Sequence, residues 1–281
     1  MDPLSAQPRL EESHVWVDGV RVFVRRLPGD GPPAVFVHGN PTHSEDWLPF
    51  LERMRGPALA FDLPGWGASD TPRPREFDYT MHGLARFVTR LLDTLGVDRY
   101  RLVVHDWGVV GLIAALQAPE RVERLVIFNN VPLLPGYRWH SIARYGWRVP
   151  VVGEMTNLLT RGWTLWLVSR LGSRFVLLNR ELVGRVWRHW RRGFWRPMLI
   201  LYRSGDPEAL AAAGARLGEL RCPALVIAAH RDPYTSGRFG LAYAERLPNA
   251  ETVELDDAGH WPWIDRPDMI DRAVEFLEAA D

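Results

Sequence analysis

Lysine is missing from the 281 residues, so all 34 basic side chains are arginine. Its absence excludes Schiff-base and P-loop chemistry, both of which need a lysine amine. A single cysteine, Cys222, excludes an intramolecular disulfide framework and any multi-cysteine metal site. Net charge is lacking too: 34 acidic residues offset the arginines, which argues against a generally basic nucleic-acid binder. No run approaches the ~18 consecutive apolar residues of a membrane-spanning helix. Residues 1–12 are polar and carry no apolar stretch of a secretion signal, so the expected location is cytoplasmic.

What is present is a well-supplied core. Hydrophobic residues make up 47% of the chain, enough for one large α/β domain with or without an inserted module. The zero charge is unevenly composed. Residues 131–210 hold 13 Arg against Glu154, Glu181, Asp206 and Glu208, and seven of the 13 Trp. That shift marks an insert, and the opposite charge of the remainder predicts partly electrostatic contacts between the two.

Residues 14–25 read as a hairpin with an Asp18-Gly19 turn. Short apolar runs at 34–37, 102–104, 125–128 and 224–227 lack alternation, as strands buried on both faces of a parallel sheet do. Residues 58–61 and 252–255 are shorter candidates. Helical spacing appears at 81–95, where Leu84, Phe87, Val88, Leu91, Leu92 and Leu95 share a stripe, and at 108–117 and 269–277. The order predicts a mostly parallel sheet flanked by helices, with the chemistry in loops beyond the strand C-termini. From 131 to 214 the strand signal vanishes. The expected organisation is a core of 1–130 and 215–281, with 131–214 a helical cap over the strand ends.

Val103-Val104-His105-Asp106-Trp107-Gly108 runs from strand through a tight turn into helix, the shape of a nucleophile elbow. Asp106 stands where esterases carry serine. A carboxylate there can attack carbon and form an ester that water later hydrolyses. An N-cap aspartate is the plainer explanation of that residue taken alone. His38-Gly39-Asn40-Pro41 follows another buried strand, the place for a loop whose N–H groups bind an oxyanion; the Asn40 and Trp107 N–H groups would form the hole. Asp232 follows the run at 224–229, and His260 follows the last strand signal. Nucleophile, acid and histidine thus come in the chain order of hydrolases built on such a sheet.

With these residues in place the sequence resembles the α/β-hydrolase superfamily, over nearly all of the chain outside the insert. Asp62-Leu63-Pro64-Gly65-Trp66-Gly67-Ala68-Ser69 is similar to the superfamily's Asp-x-x-Gly-x-Gly-x-Ser loop, so Ser69 is structural. An aspartate nucleophile in this superfamily implies an epoxide hydrolase or a haloalkane dehalogenase. Trp107 and Asn40 match the dehalogenase halide-binding pair, and Val104 replaces the glycine usual in epoxide hydrolases. Asn129 and Asn130 stand where one dehalogenase subgroup has its acid, which leaves that role to Asp232. Residues 193–203 resemble the epoxide-hydrolase lid segment that ends in a catalytic tyrosine, here Tyr202. Tyr145 is the candidate for its partner, with Tyr137 in reserve.

The lid match favours epoxide hydrolysis, with dehalogenation as the alternative. Asp106 would attack, Tyr202 and Tyr145 would hold the ring oxygen, and His260, oriented by Asp232, would activate water. His38 is expected to line the site beside Asn40 and Trp107. The resemblance implies no cofactor and no metal, and the spacing of His38, His105 and His260 is not that of a zinc centre. Expected partners are water and a small apolar or aromatic epoxide or haloalkane. No nucleic acid and no stable membrane association are expected, and the chain would be a monomer or homodimer. The interleaved Arg and Trp between 161 and 196 fit lid helices with Trp turned inward better than a nucleic-acid or membrane surface.

Overall fold

Six short apolar runs and a hairpin give eight strands, all in one sheet. The computed structural model describes residues 9–161, 184, 186–188, 190 and 193–279. Within the Arg/Trp-rich segment, Trp163, Trp166, Arg170, Arg174, Arg180, Arg185, Arg191 and Arg192 therefore lie outside the described residues. The hairpin consists of β1 (Glu11–Val17) and β2 (Val20–Leu27), and Asp18 and Gly19 both take positive φ (50° and 78°), the geometry of a tight two-residue turn. The others are β3 (Ala34–Val37), β4 (Ala58–Phe61), β5 (Tyr100–Asp106), β6 (Val122–Asn130), β7 (Ala224–Ala229) and β8 (Ala250–Leu255).

The sheet order is β1-β2-β4-β3-β5-β6-β7-β8. The β1–β2 and β2–β4 pairs are antiparallel, and every other pair is parallel. β3 and β7 are buried at every residue, which accounts for their unbroken apolar runs. After β3 the chain passes to β4 on one side and returns to β5 on the other. Val37 consequently pairs with both Phe61 and Val104. The strand order reverses between β3 and β5, and the crevice beyond their C-terminal ends is where such sheets place a ligand.

Helix Met81–Thr94 starts at Thr80, whose side chain accepts a hydrogen bond from the Gly83 N–H, and it buries Leu84, Phe87, Val88, Leu91 and Leu92. Helix Val109–Ala115, buried throughout, leads away from β5, and helix Asp268–Glu278 packs its apolar face on the core. Between β6 and β7 there is no strand among the described residues. A π-helical turn at Ala143–Trp147 is followed by helices Val152–Leu159, Trp195–Ser204 and Pro207–Ala213. None of the described helices is long and apolar enough to cross a membrane.

The expected electrostatic seam is not what Arg148 and Arg203 form. Both find their carboxylates within residues 131–214, at Asp206 and Glu154. Among the described residues, aromatic pairs join residues 131–214 to the rest of the chain. Trp139 stacks on Trp107 at 5.5 Å, Phe194 lies 6.4 Å from Trp66, and Tyr137 meets Phe239 edge-on at 5.6 Å. Burial of large rings outweighs exposed ion pairs as a source of cohesion, since each ring removes far more apolar area from water.

Candidate active site

β5 ends at Asp106, which takes φ +50°. A non-glycine residue in that left-handed region is strained, and the turn lifts the carboxylate above the sheet edge. The loop after β3 comes in very close beside it. A Cβ on Gly39 would fall 2.4 Å from the Asp106 Cβ, so only glycine allows the approach. The approach lets the Asn40 N–H donate to Oδ1 of Asp106 at 2.7 Å. One of the two expected oxyanion donors is therefore already aimed at the carboxylate.

His260, in the loop after β8, places Nε2 3.4 Å from Oδ2 of Asp106 and donates from Nδ1 to Oδ2 of Asp232 at 2.7 Å. Asp232, Asp106 and His260 are all buried. Burial by itself would lower the imidazole's pKa, but the two flanking carboxylates outweigh it and hold His260 up to about 10. Burial would likewise raise both carboxyls. The charge and hydrogen bonds of His260 overcome it, so Asp106 and Asp232 both stay below the usual carboxylate range. The cluster is an ionised Asp106 beside a protonated His260.

Asp232 is held by more than the histidine. The Thr235 hydroxyl (2.6 Å) and Asn129 Nδ2 (2.7 Å) donate to the same oxygen as His260, and the N–H groups of Tyr234 and Thr235 donate to the other. Asn129 completes its own amide by accepting from the Ala229 N–H at 2.8 Å. Asn129 and Thr235 were outside the expected site. Thr235 had a signal, since a threonine three residues after an aspartate in Asp-Pro-Tyr-Thr is a local side-chain-to-backbone turn.

Tyr202, on helix Trp195–Ser204, is buried with its ring edge-on to Trp107 at 5.2 Å and its hydroxyl 3.5 Å from Nδ2 of Asn40. The Trp107 Nε1–H has no hydrogen-bond partner among the described residues. Burial, and next the charge of Asp106, push the Tyr202 phenol well above its ordinary pKa, while Asn40 and Trp107 act against the shift. The phenol is thus neutral and keeps its proton.

Two expectations do not hold. Tyr145 is 65% exposed, with its ring under the Arg144 guanidinium, and is not gathered into this cluster. It sits in the π-helical turn, whose phase turns it outward. Tyr137 is there instead. It is buried, its hydroxyl has no partner among the described residues, and burial together with the Asp106 and Asp232 charges raises its pKa. His38 does not present a nitrogen to the crevice. Nδ1 bonds the Gly39 carbonyl at 2.8 Å and Nε2 accepts from the Leu63 N–H at 3.0 Å. Its burial lowers its pKa, so it is a neutral brace for the Asn40 loop. His140 and Tyr234 also join the aromatic wall, with Tyr234 5.0 Å from both His140 and His260.

Comparison with known proteins agrees with this architecture. The model of the alpha/beta hydrolase fold family matches residues 32–267. A Shewanella oneidensis protein named cis-3-alkyl-4-alkyloxetan-2-one decarboxylase is 28% identical, over 86% of this chain and 80% of that one. A haloalkane dehalogenase of Mycolicibacterium paratuberculosis is 29% identical, over 90% of this chain and 85% of that one. The bifunctional epoxide hydrolase 2 of Sus scrofa is 25% identical over 99% of this chain, which matches 57% of that longer protein. Among solved structures, a haloalkane dehalogenase from Bradyrhizobium elkani superposes with a TM-score of 0.76 at 27% identity, covering 95% of this chain and 96% of that one. Relatives of both kinds support a hydrolase. The chain belongs to the alpha/beta hydrolase fold family.

Proposed function

We propose that the protein is an epoxide hydrolase that opens its substrate through a covalent ester on Asp106. Residues 131–214 serve in this reading as a cap that closes an apolar crevice over the elbow. The observation that carries it is the seat of Tyr202. Its hydroxyl oxygen lies beside Nδ2 of Asn40, and its ring rests on Trp107. The Asn40 amide donor that a departing halide needs thus faces a phenol.

The carboxylate's two oxygens divide the work. Oδ1 accepts from the Asn40 N–H and becomes the carbonyl oxygen, while Oδ2, on the His260 side, attacks the less hindered epoxide carbon. The C–O bond breaks as Tyr202 gives its proton to the ring oxygen, with Tyr137 as the second phenol in place of Tyr145. A phenol is a competent acid for an alkoxide, and attack consumes the Asp106 charge that held its proton on. Loss of that charge also removes one of the causes that keep His260 protonated. His260 gives its proton to the Tyr202 tyrosinate and, now neutral, takes one from water, which attacks Cγ of the ester while the developing oxyanion sits on Oδ1 in the hole formed by the Asn40 and Trp107 N–H groups. His260 protonates the departing ester oxygen. The second proton of the water returns to His260 as Asp106 recovers its carboxylate, and a diol leaves.

Haloalkane dehalogenation is the second reading. It is favoured by the unpartnered Trp107 Nε1–H and by relatives bearing that name. Styrene-oxide-type epoxides and haloalkanes offered side by side separate the two, with diol formation measured against halide release. Diol is the expected product, and Tyr202→Phe should slow its formation by at least about 100-fold, the usual scale for loss of a general acid. Halide release unaffected or improved by Tyr202→Phe, with no diol from the wild type, would establish the second reading instead.

A further inference from the structure

We infer that Trp66 is a positioning residue for the ring-opening acid: its indole N–H sets the orientation of the Asn40 amide, and through it the direction of the Tyr202 proton. The inference rests on the epoxide reading above. Trp66 stands in the loop after β4, which Asp62 ties down by accepting from the Ala68 N–H at 2.7 Å and, through its carbonyl, from the Ser69 hydroxyl at 2.6 Å. Buried like Asn40, Trp66 brings Nε1 to 3.2 Å from Oδ1 of Asn40.

An indole nitrogen can only donate and an amide oxygen can only accept. Oδ1 must therefore face Trp66, and Nδ2 must face the other way, toward the Tyr202 oxygen 3.5 Å distant. With an N–H donor pointed at it, the phenol oxygen acts as acceptor, and its own O–H is left for the epoxide oxygen. The reversed amide would present Oδ1 to Tyr202 and take up that proton in an internal hydrogen bond. Among the described residues, Trp66 is the group bonded to Oδ1 of Asn40, and it cannot accept. The Asn40 backbone N–H is separately committed to Oδ1 of Asp106 at 2.7 Å, so the oxyanion donor does not depend on the side-chain amide. Trp66 should consequently serve ester formation and not ester hydrolysis.

Trp66→Phe tests this in the full chain, because phenylalanine keeps a smaller ring against His38 and Phe194 and removes the N–H. The rate of ester formation on Asp106 is read by quenched-flow mass spectrometry in a His260→Gln background, with and without Tyr202→Phe. Ester hydrolysis is read separately with His260 intact. Trp66→Phe should slow ester formation about tenfold, the size of one hydrogen bond to a reacting group. It should leave ester hydrolysis unchanged and have no further effect once Tyr202 is Phe. Equal slowing with and without the phenol, slowing of both steps, or no slowing overturns the role. If Tyr202→Phe itself forms the ester at the wild-type rate, the epoxide reading fails and takes this role with it. Slow Tyr202→Phe combined additively with Trp66→Phe removes Trp66 alone. Should Trp66→Phe fail to fold, Asn40→Leu deletes the same contact from its other end, and the same cycle decides.

Discussion

The centre of the site is a charge arrangement that each catalytic step would rewrite. His260 lies between two carboxylates and is held up to about 10, while both carboxylates are held below their usual range. Replacing Asp106 by Asn removes one of the charges that raise the imidazole. Histidine NMR titration should therefore show His260 near 10 in the wild type and distinctly lower in Asp106→Asn; an unchanged value would mean that Asp106 is not its partner. The same shift bears on stability. His260 titrates near 6.5 when unfolded, so its contribution is complete below that pH and is lost as the pH rises through about 10. The two carboxylates contribute in the opposite sense, with stability present above their ordinary values and lost as pH falls through the depressed ones. The triad was readable from residue types because few side chains can attack, orient or shuttle a proton, and their chain order is constrained. Tyr145 and His38 were misjudged because type and spacing do not tell which way a side chain faces. Trp66 was hidden in a motif whose other members, Asp62 and Ser69, are structural.

At the scale of elements, the helix Trp195–Ser204 decides where the phenol sits. Arg148 anchors its C-terminal end by donating to the carbonyls of Tyr202 and Gly205 while pairing with Asp206. Arg203 makes a two-point contact with Glu154 at 2.7 and 2.9 Å, fastening the helix to Val152–Leu159. These carbonyls are the groups that a helix end leaves unsatisfied. Arg148→Ala should lower stability by roughly 1.5–3 kcal/mol, the range for hydrogen bonds to a charged group. It should also slow ester formation more than ester hydrolysis; urea unfolding and the two single-step rates check both halves. The strands were legible down to β3 and β4, because a doubly buried strand must be apolar at every position. Helix Arg238–Arg246 was not, since Gly240 weakens its helical signal; a Cβ there would lie 2.7 Å from the Ala228 Cβ, so the glycine serves packing on β7.

For the whole molecule, the absence of net charge conceals a segment rich in arginine and tryptophan, residues 131–210, which follows β6 and precedes β7. Among the described residues its join to the rest of the chain runs through Trp139, Trp107, Tyr202 and Tyr137, with Trp139 also donating to the Gly205 carbonyl at 2.8 Å. A count of charges cannot reveal that Arg148 and Arg203 pair locally, with Asp206 and Glu154. The sheet supplies Asp106, Asp232 and His260 from three strand ends, and the insert adds the phenols. The account then makes one claim about all of them together: the substrate is carried as an ester of Asp106 between two chemically distinct steps. The most direct test is mass spectrometry of His260→Gln after mixing with a styrene-oxide-type epoxide. The account predicts a chain heavier by one intact epoxide, with the added mass on the peptide containing Asp106. Diol produced at the wild-type rate with no adduct, or an adduct mapped to any other residue, would contradict it.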